Sequence, residues 1–184
     1  MQTHFLFDVL EGYQPFEQIA EESRRDGAVI AASGLAGAQK AHLACALAAK
    51  TGRPLVFLCD SERSAAQAME DVSALMGGGV SLFPAREITF YQDVAASRDV
   101  AYRRIEAMRK LVSGEVRAIV APVDAMLHRV MPRAVFSANT ISLRVGDVLP
   151  TDQLIERLLA AGYTREYMVE GKGQFSVRGG IVDI

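Results

Sequence analysis

The sequence predicts an α/β protein, a parallel sheet with flanking helices followed by a smaller α+β module. Three observations carry this. From about residue 28, short apolar β-type runs alternate with helical runs, the pattern of strands joined by crossover helices. Pro54-Leu-Val-Phe-Leu58 is apolar without interruption, as in a strand covered on both faces. Past Pro122 the rhythm changes to one helix followed by strand-rich sequence. The boundary therefore falls near residues 122–135, with an α/β domain assigned to 1–125 and an α+β module to 126–184.

Ala28-Val29-Ile30-Ala31-Ala32 is the first expected strand, and a glycine-containing turn leads to an Ala/Leu-rich helix from about Gly37 to Lys50. The 54–58 run is expected to be central in the sheet. Ser61 caps the next helix, whose Ala65, Ala68, Met69, Val72, Leu75 and Met76 recur at spacings of three and four and so share one face. Gly77-Gly78-Gly79 stops it, and Val80 to Phe83 is a third strand. A loop from Pro84 to Ser97 carries Phe90 and Tyr91. The following helix is expected to turn Ala101, Ile105, Met108, Leu111 and Val112 inward, before a strand at 116–120 and a short helix from Pro122 to about Met131. In the second module, residues 134–144 read as extended, Thr151 caps a helix with Leu154, Ile155, Leu158 and Leu159 inward, and Gly162 ends it. Tyr163–Val169 and Gln174–Ile184 read as strands joined by a hairpin-type Glu170-Gly-Lys-Gly173 connection. The last strand meets the C-terminus without a stop signal, so the chain is expected to be a piece of a longer polypeptide, truncated within its second module.

Half of the 184 residues are hydrophobic, 23% are charged and 6 are Pro, the composition of a soluble globular chain. The net charge of −2 argues against a broad basic footprint for DNA, so no tight DNA binding is expected. Charge is uneven, with residues 1–100 at −5 and 101–184 at +3, which directs an acidic partner to the second half. Cys45 and Cys59 lie in apolar runs with no metal-ligand spacing and read as small buried hydrophobes in a reducing cytoplasm. The longest apolar run, Leu43 to Ala49, is far short of the roughly 20 residues that cross a bilayer. Asp8, Glu11 and Glu17 oppose a signal peptide.

The turn at Ser33-Gly34-Leu35-Ala36-Gly37-Ala38-Gln39-Lys40-Ala41 is a broken phosphate loop. Such a loop needs G-x-x-x-x-G-K-[ST] between strand and helix, so that backbone N–H groups cradle phosphate and a hydroxyl holds magnesium. Gly34 and Lys40 fill their positions. Gln39 stands where the glycine before the lysine belongs and Ala41 where the hydroxyl belongs, and no apolar run ends in Asp-Glu. A glycine turn in a degenerate copy of a P-loop domain is favoured over a working nucleotide site. Catalytic constellations are equally sparse. His4, His42 and His128 are scattered, no nucleophile elbow or zinc motif occurs, and no catalytic residue, metal ligand or cofactor is assigned. Phe90 and Tyr91 could stack on bases, but Glu87 and Asp93 beside them favour loop packing.

Three stretches together, residues 34–62, 82–108 and 145–184, resemble the bacterial transcription-repair coupling factor (Mfd) family. The last is the most specific, since its helix, Ala-Gly-Tyr stop and F-x-V-R-G-G-[IV]-[IV]-D-[IL] strand occur in that order in this family and in the excision repair protein UvrB. The resemblance implies a degenerate P-loop, RecA-like domain similar to domain 1a of UvrB, then a module similar to domain 2 of UvrB that docks UvrA. It also implies a bacterial cytoplasmic location. The RNA-polymerase-binding and translocase domains of the same polypeptide would lie outside these residues. Residues 84–98 are too few for the aromatic DNA-probing hairpin of UvrB. The family's UvrA-contacting arginine matches Arg178, within a docking strand that includes Phe175, Ser176 and Gly179; Ser176 stands where UvrB carries a further arginine. Alternation places Ser176, Arg178 and Gly180 on one strand face. The expected function is non-catalytic UvrA recruitment in transcription-coupled excision repair, with restraint of the motor domains as a coexisting role. The alternative is a UvrB-like ATP-binding helicase fragment.

Overall fold

The computed structural model describes residues 5–86 and 98–184 and divides into two units, Met1–Arg129 and Val130–Ile184. Phe90, Tyr91 and His4 lie outside the described residues.

The first unit begins with two helices that periodicity did not announce, α1 (Phe5–Asp8) and α2 (Gln14–Glu22). Pro15 sits in the first turn of α2, where no intrahelical N–H is required, and Phe16 and Ala20, four apart, are buried. The Arg53 guanidinium closes this segment by donating to the carbonyls of Ser23 (2.9 Å) and Arg24 (2.8 Å) and pairing with Asp26. There follow α3 (Ala38–Thr51), β1 (Leu55–Cys59), α4 (Glu62–Met76), β2 (Val80–Leu82), α5 (Arg98–Ser113), β3 (Ala118–Pro122) and α6 (Val123–Met126). The three strands form a parallel sheet in the order β1-β3-β2, with Phe57 and Leu82 both level with Val120. Ala41, Cys45, Ala65, Ala68, Val72, Ala118 and Val120 pack one face, joining α3 and α4 to the sheet. Burial raises the Cys45 thiol to about 11, as suits a small core hydrophobe.

The structure corrects three sequence expectations here. Among the described residues the central strand is β3, buried at all five positions, whereas the 54–58 run forms an edge strand with Val56 and Leu58 56% and 51% exposed. An apolar run of five looks alike whether its strand has one neighbour or two. Residues 28–32 pair with no strand among the described residues, and Val29 is 97% exposed. Helix α5 is rotated from its expected phase: Val100, Arg104 and Ala107 face inward, while Ile105 and Leu111 are exposed. Arg104 belongs to the inward stripe. Its guanidinium sits 4.0 Å over the Phe83 ring and donates to the Pro84 carbonyl, so a charged residue occupies the middle of the buried stripe.

The second unit contains α7 (Arg133–Ala138), α8 (Thr151–Ala160), β4 (Thr164–Arg165), β5 (Gln174–Arg178) and β6 (Ile181–Asp183). Helix α7 replaces part of the expected extended segment 134–144. Its end is closed by side chains that β-propensity overlooks, Asn139 Nδ2 donating to the Val135 carbonyl and Thr140 Oγ1 to that of Phe136. The sheet order is β4-β5-β6, with β4 parallel and β6 antiparallel to β5. Residues 170–173 are therefore not the hairpin turn. Gln174 Oε1 accepts from the amides of Glu170 and Gly171 and folds that stretch into a compact loop. The antiparallel hairpin lies instead at Gly179-Gly180, where Gly179 has φ 61, a conformation that side-chain-bearing residues rarely adopt. Leu158, Phe175 and Ser176 are the buried residues of this unit.

Candidate functional site

Two places hold the residues singled out by sequence. The first is the loop before α3. Gly34 has φ 80 and Gly37, the N-cap of α3, has φ 48. Gln39 does more than fill the place of a glycine. Its Oε1 accepts from the Ala36 amide at 3.0 Å, while the amides of Gln39 and Lys40 donate to the carbonyls of Ala36 and Gly37. Three donors that a phosphate loop would turn toward its ligand are thus engaged within the loop itself.

Lys40 and Ala41 line an open cleft of about 780 Å³ together with Gly37, Asp60, Ser61 and Arg63. Asp60 is exposed and accepts from the hydroxyls of Ser64 and Ser61, which hold its carboxyl below the usual carboxylate range. Ser61 and Ser64 also form a reciprocal cap at the start of α4, as Ser61 led one to expect. Lys40, Arg63 and Asp60 thus bring charges of both signs to the cleft.

The second place is the β5–β6 hairpin, where Ser176 is level with Asp183, Val177 with Val182 and Arg178 with Ile181. The four expected docking residues separate into two pairs. Phe175 is fully buried and Ser176 is 2% exposed, its Oγ donating to the Tyr167 carbonyl at 2.8 Å. Arg178 and Gly179 are exposed at the hairpin tip. Ser176 and Arg178 share a face by alternation but not an environment, because the chain past β4 crosses beside Ser176 and leaves Arg178 uncovered: Glu166 N–H donates to the Phe175 carbonyl just before Tyr167 accepts from Ser176. Phe175 and Ser176 hold the strand, and Arg178 and Gly179 present it.

Sequence reasoning missed two residues here. Asp183 pairs with the Arg178 guanidinium across the hairpin, and Tyr167 is 94% exposed beside β5. The signal for Asp183 was available: antiparallel alternation places it diagonally across from Arg178, within reach of a long side chain.

Among the described residues, no helix is long and apolar enough to cross a membrane, and no group of three or more His, Cys, Asp and Glu side chains is placed to hold a metal ion.

Comparison with known proteins gives a consistent result. Residues 141–184 match the UvrB interaction domain. The chain is 32% identical over 153 residues to the transcription-repair-coupling factor of Bacillus subtilis, covering 83% of this chain and 13% of that protein. It is 33% identical over 181 residues to that of Myxococcus xanthus, covering 94% of this chain and 15% of that protein. The corresponding protein of Mycobacterium tuberculosis is 29% identical over 151 residues, covering 78% of this chain and 12% of that protein. The chain thus spans roughly an eighth of the length of these relatives.

Proposed function

We propose that this chain, which belongs to the transcription-repair-coupling factor family over most of its length, is a non-catalytic module that recruits UvrA in transcription-coupled excision repair. One observation carries the reading. Within the matched UvrB interaction domain, a hairpin rooted by buried Phe175 and Ser176 projects Arg178 and Gly179 outward. A rigid root with an exposed arginine is the anatomy of an interface anchor. The direct test is binding of the purified chain to UvrA, with Arg178→Ala as the discriminating variant. The first unit acts in this reading as a degenerate P-loop-like support in a bacterial cytoplasmic protein.

The chain is expected not to bind ATP. Gln39 engages the Ala36 amide, and Ala41 supplies no hydroxyl for magnesium. Isothermal calorimetry with Mg-ATP at micromolar protein should give no saturable heat. Saturable binding would restore the UvrB-like helicase reading. Duplex DNA binding is expected to be weak and insensitive to sequence, since the chain carries a net −2. A mobility shift at moderate salt checks this, and a tight, salt-resistant complex would contradict it.

A further inference from the structure

Resting on the docking reading above, we propose that Asp183 is a positioning residue for Arg178, so that the hairpin recognises neutral acceptors on its protein partner, backbone carbonyls or side-chain amides, rather than a carboxylate. The geometry is specific. Arg178 ends β5 and Asp183 ends β6; with Ser176 level with Asp183, the two charges are diagonal neighbours across an antiparallel pair. One guanidinium nitrogen, Nη2, donates to Asp183 Oδ2. The guanidinium carries five N–H donors, so most remain to face outward in a plane that Asp183 orients.

The pair is close to electrically neutral at range. A partner carboxylate approaching Arg178 meets Asp183 at similar distance, and attraction and repulsion largely cancel, whereas a carbonyl oxygen is drawn to the outward N–H groups without that opposition. Ile181, level with Arg178 and exposed, supplies apolar surface beside the pair. Such surface excludes water once a partner is seated. A desolvated pair then depends on both members, because removing one leaves the other charge buried and uncompensated.

The test is UvrA binding by the full chain between about 50 mM and about 500 mM salt, where exposed charge attraction is strongly screened. The parent affinity is expected to change less than about threefold across that range. Asp183→Asn is expected to weaken binding about tenfold, and Arg178→Ala combined with Asp183→Asn no more than the worse single change, the coupling expected of a pair acting as a unit. Asp183→Glu, which keeps the charge, should bind within about threefold of the parent. An Asp183→Asn chain that binds as tightly as the parent, or more tightly, overturns the proposal. So does a parent affinity that falls more than about tenfold with salt, a measurement needing no variant. The two readings fail separately. If Arg178→Ala binds like the parent, docking through this hairpin is wrong; if Arg178→Ala is weak and Asp183→Asn is not, only the positioning role falls.

Discussion

Arg178→Ala should weaken UvrA binding by more than about tenfold while leaving the melting temperature nearly unchanged. The two halves of this expectation have different physical sources. Arg178 is 65% exposed at its side chain, and its ion pair with Asp183 lies in water, where such pairs contribute about 0–1 kcal/mol to folding. The hairpin does not rely on it, since its register is held by the β5–β6 ladder and by Phe175 beneath. At an interface the same side chain is desolvated, and truncation leaves its partner's acceptors unpaired. Arg144→Ala is the control. Arg144 lies in the same unit outside the hairpin, and its backbone closes a turn with Asp147 that an alanine preserves. Binding by Arg178→Ala equal to that of the parent would remove the docking role; binding lost only because the variant unfolds would do the same.

Helix signals were the most legible part of the sequence. Ser61 as a cap and Ala65, Ala68 and Val72 as one buried face stand as read, because capping chemistry and a 3.6-residue period are local properties. Pairing is not local. Whether Leu55–Leu58 has one neighbour or two depends on strands tens of residues away, and β1 proved an edge. The α5 stripe held at Met108, which packs against the buried cluster around Ala107, and failed at Ile105 and Leu111 through chemistry. Counting only apolar residues selected Ile105 and Leu111, whereas the helix buries Arg104 through carbonyl acceptors and an aromatic ring, partners no periodicity reveals. At the candidate site, the motif around Arg178 was legible as a string. Its division into a buried root and an exposed tip was not, because the chain near Tyr167 covers Ser176 and stops short of Arg178. The departure of Gly34–Ala41 from the phosphate-loop pattern is a property of the string itself, whereas the capture of the Ala36 amide by Gln39 needed coordinates.

Phe175→Ala is expected to unfold the second unit while the first stays folded. Phe175 is completely buried, and its only buried companions in that unit are Leu158 and Ser176, so no large core remains to absorb its loss. Removing a buried phenylalanine ring costs about 3–5 kcal/mol. A unit spanning residues 130–184 has a total stability of only roughly 3–8 kcal/mol at the usual allowance per residue, so the loss is comparable to the whole. The backbone adds to the effect. Phe175 lies level with Arg165 and its carbonyl receives the Glu166 amide, so strand β5 cannot shift to fill the void without losing its pairing to β4. Amide hydrogen exchange should therefore show protection lost across β4, β5 and β6 but kept in β1 and β3. Phe175→Leu decides whether Phe175 also contacts the partner. It should cost less than the alanine change, since more of the volume is retained, and it should keep UvrA binding once folded. A Phe175→Leu chain that retains β5 protection yet fails to bind UvrA would make Phe175 a contact residue, and persistent β5 protection in Phe175→Ala would show that the unit is anchored elsewhere.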